Sequence, residues 1–353
     1  MKKKWVAAAG IVLAAAIAVL SATTGTFYFR KDSTEEEKVE KDPISIGFCQ
    51  VGAESDWRTA NTRSIKRTFT PEKGYDLIFE DGRQKQSNQI KAIRGFIRQG
   101  VDYIIFSPVV ERGWDKVLRE AKQAGIPVII IDRIVDVEDD SLYTAWVGTD
   151  VYMQGRKACE ALRQYVENSG IGEVNIVHIQ GTMGATPQIA RTQMLEEAAK
   201  KYGWNLLAQE SGDYTEAKGY EVMSEMLEKY DDINFVYCEN DNEAFGAIEA
   251  IEASGRTVGP GGDIQVISFD ATAEGLRYVL DGKILVDAES NPDQGPECEK
   301  IISQLEKGKI PEKYHRMEEQ IFSSSSDIST LNINGQLYDI EPVSEGLILT
   351  RDY

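Results

Sequence analysis

Histidine is almost missing from this chain: there are two in 353 residues, His178 and His315. His178 falls in an apolar run and His315 lies far from it in sequence, so no histidine-based general acid, base or metal centre assembles. Cysteine is scarce as well. Cys49, Cys159, Cys238 and Cys298 are scattered without metal-type spacing. Two sit in strand-like runs and two in helical ones, which reads as buried thiols, with a disulfide left open. Net positive charge is absent: the formal balance is −19. That sign excludes a nucleic-acid face, disfavours a strongly anionic ligand, and reads as solubility. No Gly-x-Gly-x-x-Gly follows a strand, and there is no P-loop. Gly259-Pro-Gly-Gly262 precedes a strand and reads as a turn. Gly181-Thr-Met-Gly184 could hold an anion at a helix N-terminus, but alone it is a weak signal. The expectation is no catalytic residue, no metal and no cofactor.

What is present is a globular chain long enough for two domains, with 42% apolar residues. Its first 31 residues form a separate unit. Lys2, Lys3 and Lys4 precede an apolar stretch over 5–20, and Phe27-Tyr-Phe29 with Arg30-Lys31 follow. This reads as a signal peptide or as an uncleaved membrane anchor, the aromatic cluster and basic pair favouring the anchor. Either places the bulk of the chain outside the cytoplasm. Residues 32–43 are a charged linker with little to bury.

From residue 44 onward strand and helix patterns alternate. Strand-like runs cover 44–51, 75–80, 102–106, 127–131, 173–179, 205–209, 234–238, 264–268 and 284–288, with helical periodicity between them, as at Ile90, Ile93 and Ile97. Such alternation predicts α/β architecture with doubly wound parallel sheets. The pattern restarts after Asp132, through a less regular stretch over 135–150, which predicts two similar lobes with a cleft between.

In that architecture ligands sit at the carboxyl ends of the strands. The first strand empties into Gln50, Glu54, Trp57 and Arg58. Later strand ends deliver Asp81, Pro108, and Asp132 with Arg133. The second series delivers Thr182, Arg191 a turn into its helix, Asp213 with Tyr214, Asn240, Asp270 and Glu289. Carboxylates, amides and guanidinium groups pair with vicinal hydroxyls, and Trp57 and Tyr214 could pack on the C–H face of a sugar. Each residue has a plain alternative: Trp57 as packing, Asp132–Arg133 as an ion pair, Asn240 or Asp270 as a helix cap. The set carries the case.

With these residues in place, the chain resembles the type I periplasmic sugar-binding proteins, the ribose- and galactose-binding family, and within it the galactofuranose-binding branch of ABC importers. The resemblance runs from about residue 44 to about 307. It rests on Gln50-Val-Gly-Ala-Glu-Ser-Asp-Trp-Arg58, Asp81-Gly-Arg-Gln-Lys-Gln-Ser-Asn-Gln89, Ser107-Pro-Val-Val110, Ile131-Asp-Arg133, Gln180-Gly-Thr-Met-Gly-Ala185 and Gly212-Asp-Tyr214. It implies sugar-contacting roles for Asp132, Arg133, Arg191, Asn240 and Asp270, a branch-specific first loop in Glu54, Trp57 and Arg58, and Glu289 at the hinge. It also implies three hinge crossings, near 147–149, 289–291 and 319–322. The lobes would then be 44–147 with 290–320 and 148–289 with 321–330, leaving 331–353 as a tail; the stretch 323–353 shows no assignable match.

The expected activity is capture of a monosaccharide by hinge closure and delivery to an ABC importer permease, by a monomer. One alternative is a membrane-tethered receptor presenting its closed form to a sensor kinase ectodomain. A distant one is a secreted carbohydrate hydrolase using paired carboxylates.

Overall fold

The computed structural model describes residues 42–353, which form one compact unit. The expected signal peptide or anchor, and all but the end of the linker, lie outside the described residues. Among the described residues, no helix is long and apolar enough to cross a membrane.

The chain opens with β1 (Ile44–Gln50), α1 (Asp56–Thr68), β2 (Tyr75–Asp81), α2 (Gln86–Gln99), β3 (Tyr103–Phe106), α3 (Asp115–Gln123), β4 (Val128–Ile131) and β5 (Ala145–Gly148). It then crosses into a second series: α4 (Val151–Ser169), β6 (Asn175–Gln180), α5 (Thr186–Tyr202), β7 (Asn205–Ser211), α6 (Glu216–Lys229), β8 (Phe235–Cys238), α7 (Asp241–Ala253), β9 (Gln265–Asp270), α8 (Ala273–Leu280) and β10 (Val286–Glu289). A return to the first lobe supplies α9 (Gly295–Glu306) and β11 (Tyr314–Arg316), and a last crossing leads to β12 (Ile321–Ser323). Beyond lie β13 (Thr330–Ile333), β14 (Gln336–Asp339) and α10 (Glu345–Thr350).

Two six-stranded sheets result, in the orders β11-β5-β4-β3-β1-β2 and β12-β10-β9-β8-β6-β7. All ladders are parallel except that of β10 with β12. The inner strands are buried on both faces, which is why they read as continuous apolar runs rather than alternating ones. Ile93 and Phe96 of α2 with Trp114 and Val117 fill one face of the first sheet; Ile65 of α1 with Ile301 and Ile302 of α9 fill the other. Ala158, Leu162 and Leu195 from α4 and α5 cover one face of the second sheet, and Met223, Met226 and Ile248 from α6 and α7 the other.

The stretch over 135–150, expected to be irregular, contains a true strand. β5 pairs in parallel with β4, Ile130 opposite Trp146, and all four of its residues are buried. A further helix, α8, falls between the last two expected strands. The segment after 330 is also structured. β13 and β14 form an antiparallel hairpin through Asn334 and Gly335, both with positive φ. Leu331 and Ile328 join the core of the second lobe, and α10 packs Ile348 into its other face.

Candidate functional site

The cleft sits where strand ends meet helix starts. Ser55 caps α1 by accepting from the Arg58 main-chain N–H at 3.1 Å, with Asp56 in the first turn. This cap fixes the loop carrying Glu54 and Trp57. Asn240 caps α7, its Oδ1 accepting from Glu243 N at 2.9 Å. The turns bearing Asp132, Tyr214 and Asp270 have φ of 61°, 61° and 105°, values uncommon for residues with a Cβ. Strain of this kind gathers at ligand sites. Gly181 makes room for one of these side chains: a Cβ there would lie 1.9 Å from the Tyr214 ring.

Between the lobes is a narrow cavity. Glu54, Ser55, Trp57, Arg58, Asp132 and Arg133 line one wall, and Pro187, Arg191, Tyr214, Asn240 and Asp270 the other, with Ser290 at a crossing. The lobes are closed over it. Asp56 N donates to Asn242 Oδ1 at 3.0 Å and Asn242 Nδ2 to Asp56 Oδ2 at 3.1 Å. Glu111 N meets the Gly184 carbonyl at 3.1 Å, and Ile134 N meets Thr186 Oγ1 at 3.0 Å.

The first wall is a charge-balanced network. Arg58 Nη2 lies 2.6 Å from Asp132 Oδ2 and its Nε 3.1 Å from Glu54 Oε1. Ser107 Oγ donates to Asp132 Oδ2 at 3.0 Å. Arg133 donates to the Val109 carbonyl at 3.0 Å and to Glu54 Oε1 at 3.3 Å. Burial opposes the charge on Arg58, but Asp132 and Glu54 outweigh it and hold its pKa above the usual value. Arg133 is depressed by burial and by the neighbouring Arg58.

On the second wall Arg191 donates to Gln154 Oε1 at 2.8 Å and to the Glu239 carbonyl, and lies 3.5 Å from Asp270 Oδ1. Burial pushes the Asp270 carboxyl well above its ordinary range, and Arg191 pulls it back. The loop carrying Asp270 is pinned from beneath. Asp241 accepts from Ser268 Oγ at 2.6 Å and from Thr272 N at 2.8 Å, and Asp287 Oδ1 accepts from Ala271 N at 3.0 Å. Burial raises both carboxyls.

The structure brings Glu54, Trp57, Arg58, Asp132, Arg133, Arg191, Tyr214, Asn240 and Asp270 to the cavity. It places the other expected residues elsewhere. Gln50 is buried behind the wall, donating to Asn61 Oδ1 and Thr62 Oγ1 at 3.0 Å each. Asp81 and Asp213 are exposed, Asp81 accepting from Arg83 N at 2.7 Å and Asp213 from Ser211 Oγ at 3.2 Å. Their strands, β2 and β7, are the edges of their sheets, so their tips lie to the side of the cleft. Pro108 is buried and Thr182 half-buried, and neither lines the cavity. The Glu289 carboxylate is taken by Arg351 and Tyr353, at 2.7 and 2.6 Å, and by Gln320 N at 2.7 Å. Ser55, Pro187 and Ser290, which do line the cavity, carry no sequence signal of their own. Asp241 follows Asn240 directly, and that acidic neighbour was the available hint.

Among the described residues no group of three or more His, Cys, Asp or Glu could hold a metal ion, and all four cysteines are free and buried.

Comparison with known proteins decides the family. The family model described as "Periplasmic binding protein domain" matches residues 46–310. The chain belongs to the periplasmic binding protein family. Membership implies a place outside the cytoplasm, and the two parallel-sheet lobes are the type I form. The chain is 38% identical over 276 residues to the galactofuranose-binding protein YtfQ of Escherichia coli (strain K12), across 77% of this chain and 85% of that protein. A Mycobacterium smegmatis protein solved with β-D-fucofuranose matches at 41% identity and a TM-score of 0.76, over 80% of this chain and 92% of that one. The binding protein of the arabinose ABC transporter from Shewanella sp. ANA-3, solved with α- and β-L-arabinofuranose, matches at 37% identity and a TM-score of 0.73, over 80% and 93%.

Proposed function

We propose that this chain is the sugar-capturing component of an ABC importer. A neutral monosaccharide enters the cleft, the lobes close over it, and the closed form is what the permease recognises. The observation that carries this is the charge balance of the cavity. Arg58 and Arg133 face Glu54 and Asp132, and Arg191 faces Asp270. The walls therefore offer strong directional hydrogen bonds with little net charge, which suits a polyol and not an ion. Bonding capacity is also unspent: among the described residues Glu54 Oε2, Arg133 Nε and the Tyr214 hydroxyl are buried without partners, and hydroxyls of a ligand could satisfy such groups.

Asp132, Arg133, Arg191, Asn240 and Asp270 supply the grip, and Glu54, Trp57 and Arg58 the discrimination between sugars. A five-membered ring is favoured: relatives are named for galactofuranose and were solved with fucofuranose and arabinofuranose. The cleft binds and does not turn over its sugar. Residues 1–31 tether the chain at the outer face of a membrane unless they are cleaved. Binding of the closed form to a permease, rather than to a kinase ectodomain, separates transport from signalling.

The test is a thermal-shift screen of residues 42–353 against pentoses and hexoses. A sugar that binds only the native state raises the melting temperature, by about 2.7 kcal/mol of added stability at a hundred times its Kd. No shift with any sugar, or hydrolysis of a bound glycoside, would overturn the proposal.

A further inference from the structure

Beyond α10 the chain runs back to the hinge, and three consecutive residues there contact both lobes. Asp352 belongs to the first lobe's side: Arg63 Nη1 of α1 donates to its main-chain oxygen at 2.8 Å, and Arg67 pairs with its carboxylate. Arg67 also holds Asp293 at 2.9 Å, just before α9. The flanking residues belong to the second lobe. Arg351 Nη1 and the Tyr353 hydroxyl both donate to Glu289 Oε1, at the end of β10. Ala273 N, the first residue of α8, donates to the Tyr353 main-chain oxygen at 2.5 Å. The Arg351 guanidinium lies over the rings of Phe322 and Tyr353. The Arg351–Glu289 pair is almost wholly buried, at 6% and 8% exposure.

These contacts sit where closure is decided. α1 is the helix whose first turn carries Trp57 and Arg58 on the cavity wall. Glu289 precedes Ser290, whose carbonyl accepts from the Trp57 indole N–H at 2.5 Å. Glu289 also binds Gln320 through both main-chain and side-chain bonds, so it ties together two of the crossings. Separating the lobes would require Asp352 to leave α1, or Arg351 and Tyr353 to leave Glu289 as a buried carboxylate without its cation. Either step removes charged contacts.

We propose that residues 351–353 are a clasp: Arg351 and Tyr353 position Glu289 at the hinge while Asp352 grips α1, and together they favour the closed arrangement of the lobes with or without a sugar, so that a bound sugar leaves slowly. The inference rests on the sugar-binding reading for its ligand, but the clasp itself is a property of the two lobes. It makes Arg351 a positioning residue that slows sugar release without touching the sugar. The family model ends at residue 310, so the clasp lies outside the matched domain.

The experiment uses the full chain carrying spin labels at Arg112→Cys and Met183→Cys. These are exposed positions on facing loops of the two lobes, and the native cysteines are buried. Distances between the labels are measured without sugar, and release rates are measured with L-arabinose and D-galactose as probes. The comparison is among the labelled parent, Arg351→Ala with Tyr353→Phe, and Asp352→Asn. Leu349→Ala, at a position 81% exposed, is the control. Asp352→Asn perturbs only half-exposed contacts, so it reports even where the buried pair proves essential for folding. The expected result is a longer, broader distance distribution in both clasp variants and release about tenfold faster, with association and the Leu349→Ala control unchanged. Parent-like distances in the clasp variants would overturn the clasp, as would parent-like release where the parent binds a probe. If the lobes open in the clasp variants but no pentose or hexose binds the parent, the clasp stands and the sugar reading fails on its own.

Discussion

Asp132→Asn removes one charge from the first wall and almost nothing else, so its effect can be worked out atom by atom. Oδ2 is committed to Arg58 at 2.6 Å and to Ser107 at 3.0 Å. Among the described residues Oδ1 has no protein partner, and it is the acceptor available to a sugar hydroxyl. The amide can keep Arg58 and Ser107 satisfied only by presenting its NH2 to the cavity, which turns the acceptor into a donor. A hydrogen bond to a charged group contributes about 1.5–3 kcal/mol, so affinity should fall by about 10- to 150-fold. The first wall also changes from balanced to one net positive charge. Breaking a buried pair outright costs about 3–5 kcal/mol, but Arg58 retains Glu54 at 3.1 Å, so the loss of stability should be about 1–2 kcal/mol. Calorimetric titration with L-arabinose and D-galactose measures the first quantity, and denaturant unfolding without sugar the second. An affinity within twofold of the parent's would refute the assignment of Oδ1 to the ligand.

Other perturbations have equally definite outcomes. Glu319 is half-buried beside Gln154 and Lys157, and loss of water around it pushes its carboxyl up to about 8. An unfolded glutamate ionises near 4.3, so the folded chain holds the extra proton in between; its stability is full below that value and falls as pH rises through about 8. Melting curves between pH 5 and 9 should show that decline, on the order of a few kcal/mol, and Glu319→Gln should flatten it. Trp57→Phe keeps an aromatic wall but leaves the Ser290 carbonyl without its donor; stability should drop by about 1 kcal/mol, with sugar binding several-fold weaker by titration. Asn242→Ala deletes both bonds to Asp56 and should speed release measured by stopped flow, leaving the melting temperature within a few degrees of the parent's.

Much of the fold was legible because parallel strands buried on both faces leave short apolar runs, rich in β-branched residues, between segments of helical period. β5 is not legible because, unlike the equally short β3 and β4, it carries a single β-branched residue and ends on a glycine. β11 and β12 have three each, below the length at which a period can be read. The hairpin after 330 does carry a signal in the sequence. Asn334-Gly335 is a strong hairpin turn pair, flanked by Leu331, Ile333 and Leu337 in alternation.

The cavity was legible from the central strands. β4, β8 and β9 are inner strands, and the residues at their tips, Asp132, Asn240 and Asp270, converge on it. The same rule applied to edge strands gave Asp81 and Asp213, because a strand's position in its sheet is a property of topology that local sequence does not carry. Tyr214 shows the difference one residue makes: in a turn where both φ values are positive, Asp213 faces solvent and Tyr214 the cavity. Glu289 was expected at the hinge, but that its carboxylate is taken by Arg351 and Tyr353 could not be read, because these two partners lie more than sixty residues away.

The central claim is that a neutral monosaccharide is held between the two charge-balanced walls, and Arg191 tests it most directly. Arg191 carries Asp270, Gln154 and Glu239 on one side of the cleft and contributes nothing to the closing contacts at Asp56. Titrating pentoses and hexoses into the parent chain and into Arg191→Ala, with circular dichroism to verify folding, should give saturable binding of at least one sugar by the parent and a loss of at least 100-fold in a folded variant. Equal affinity in the two would contradict the account.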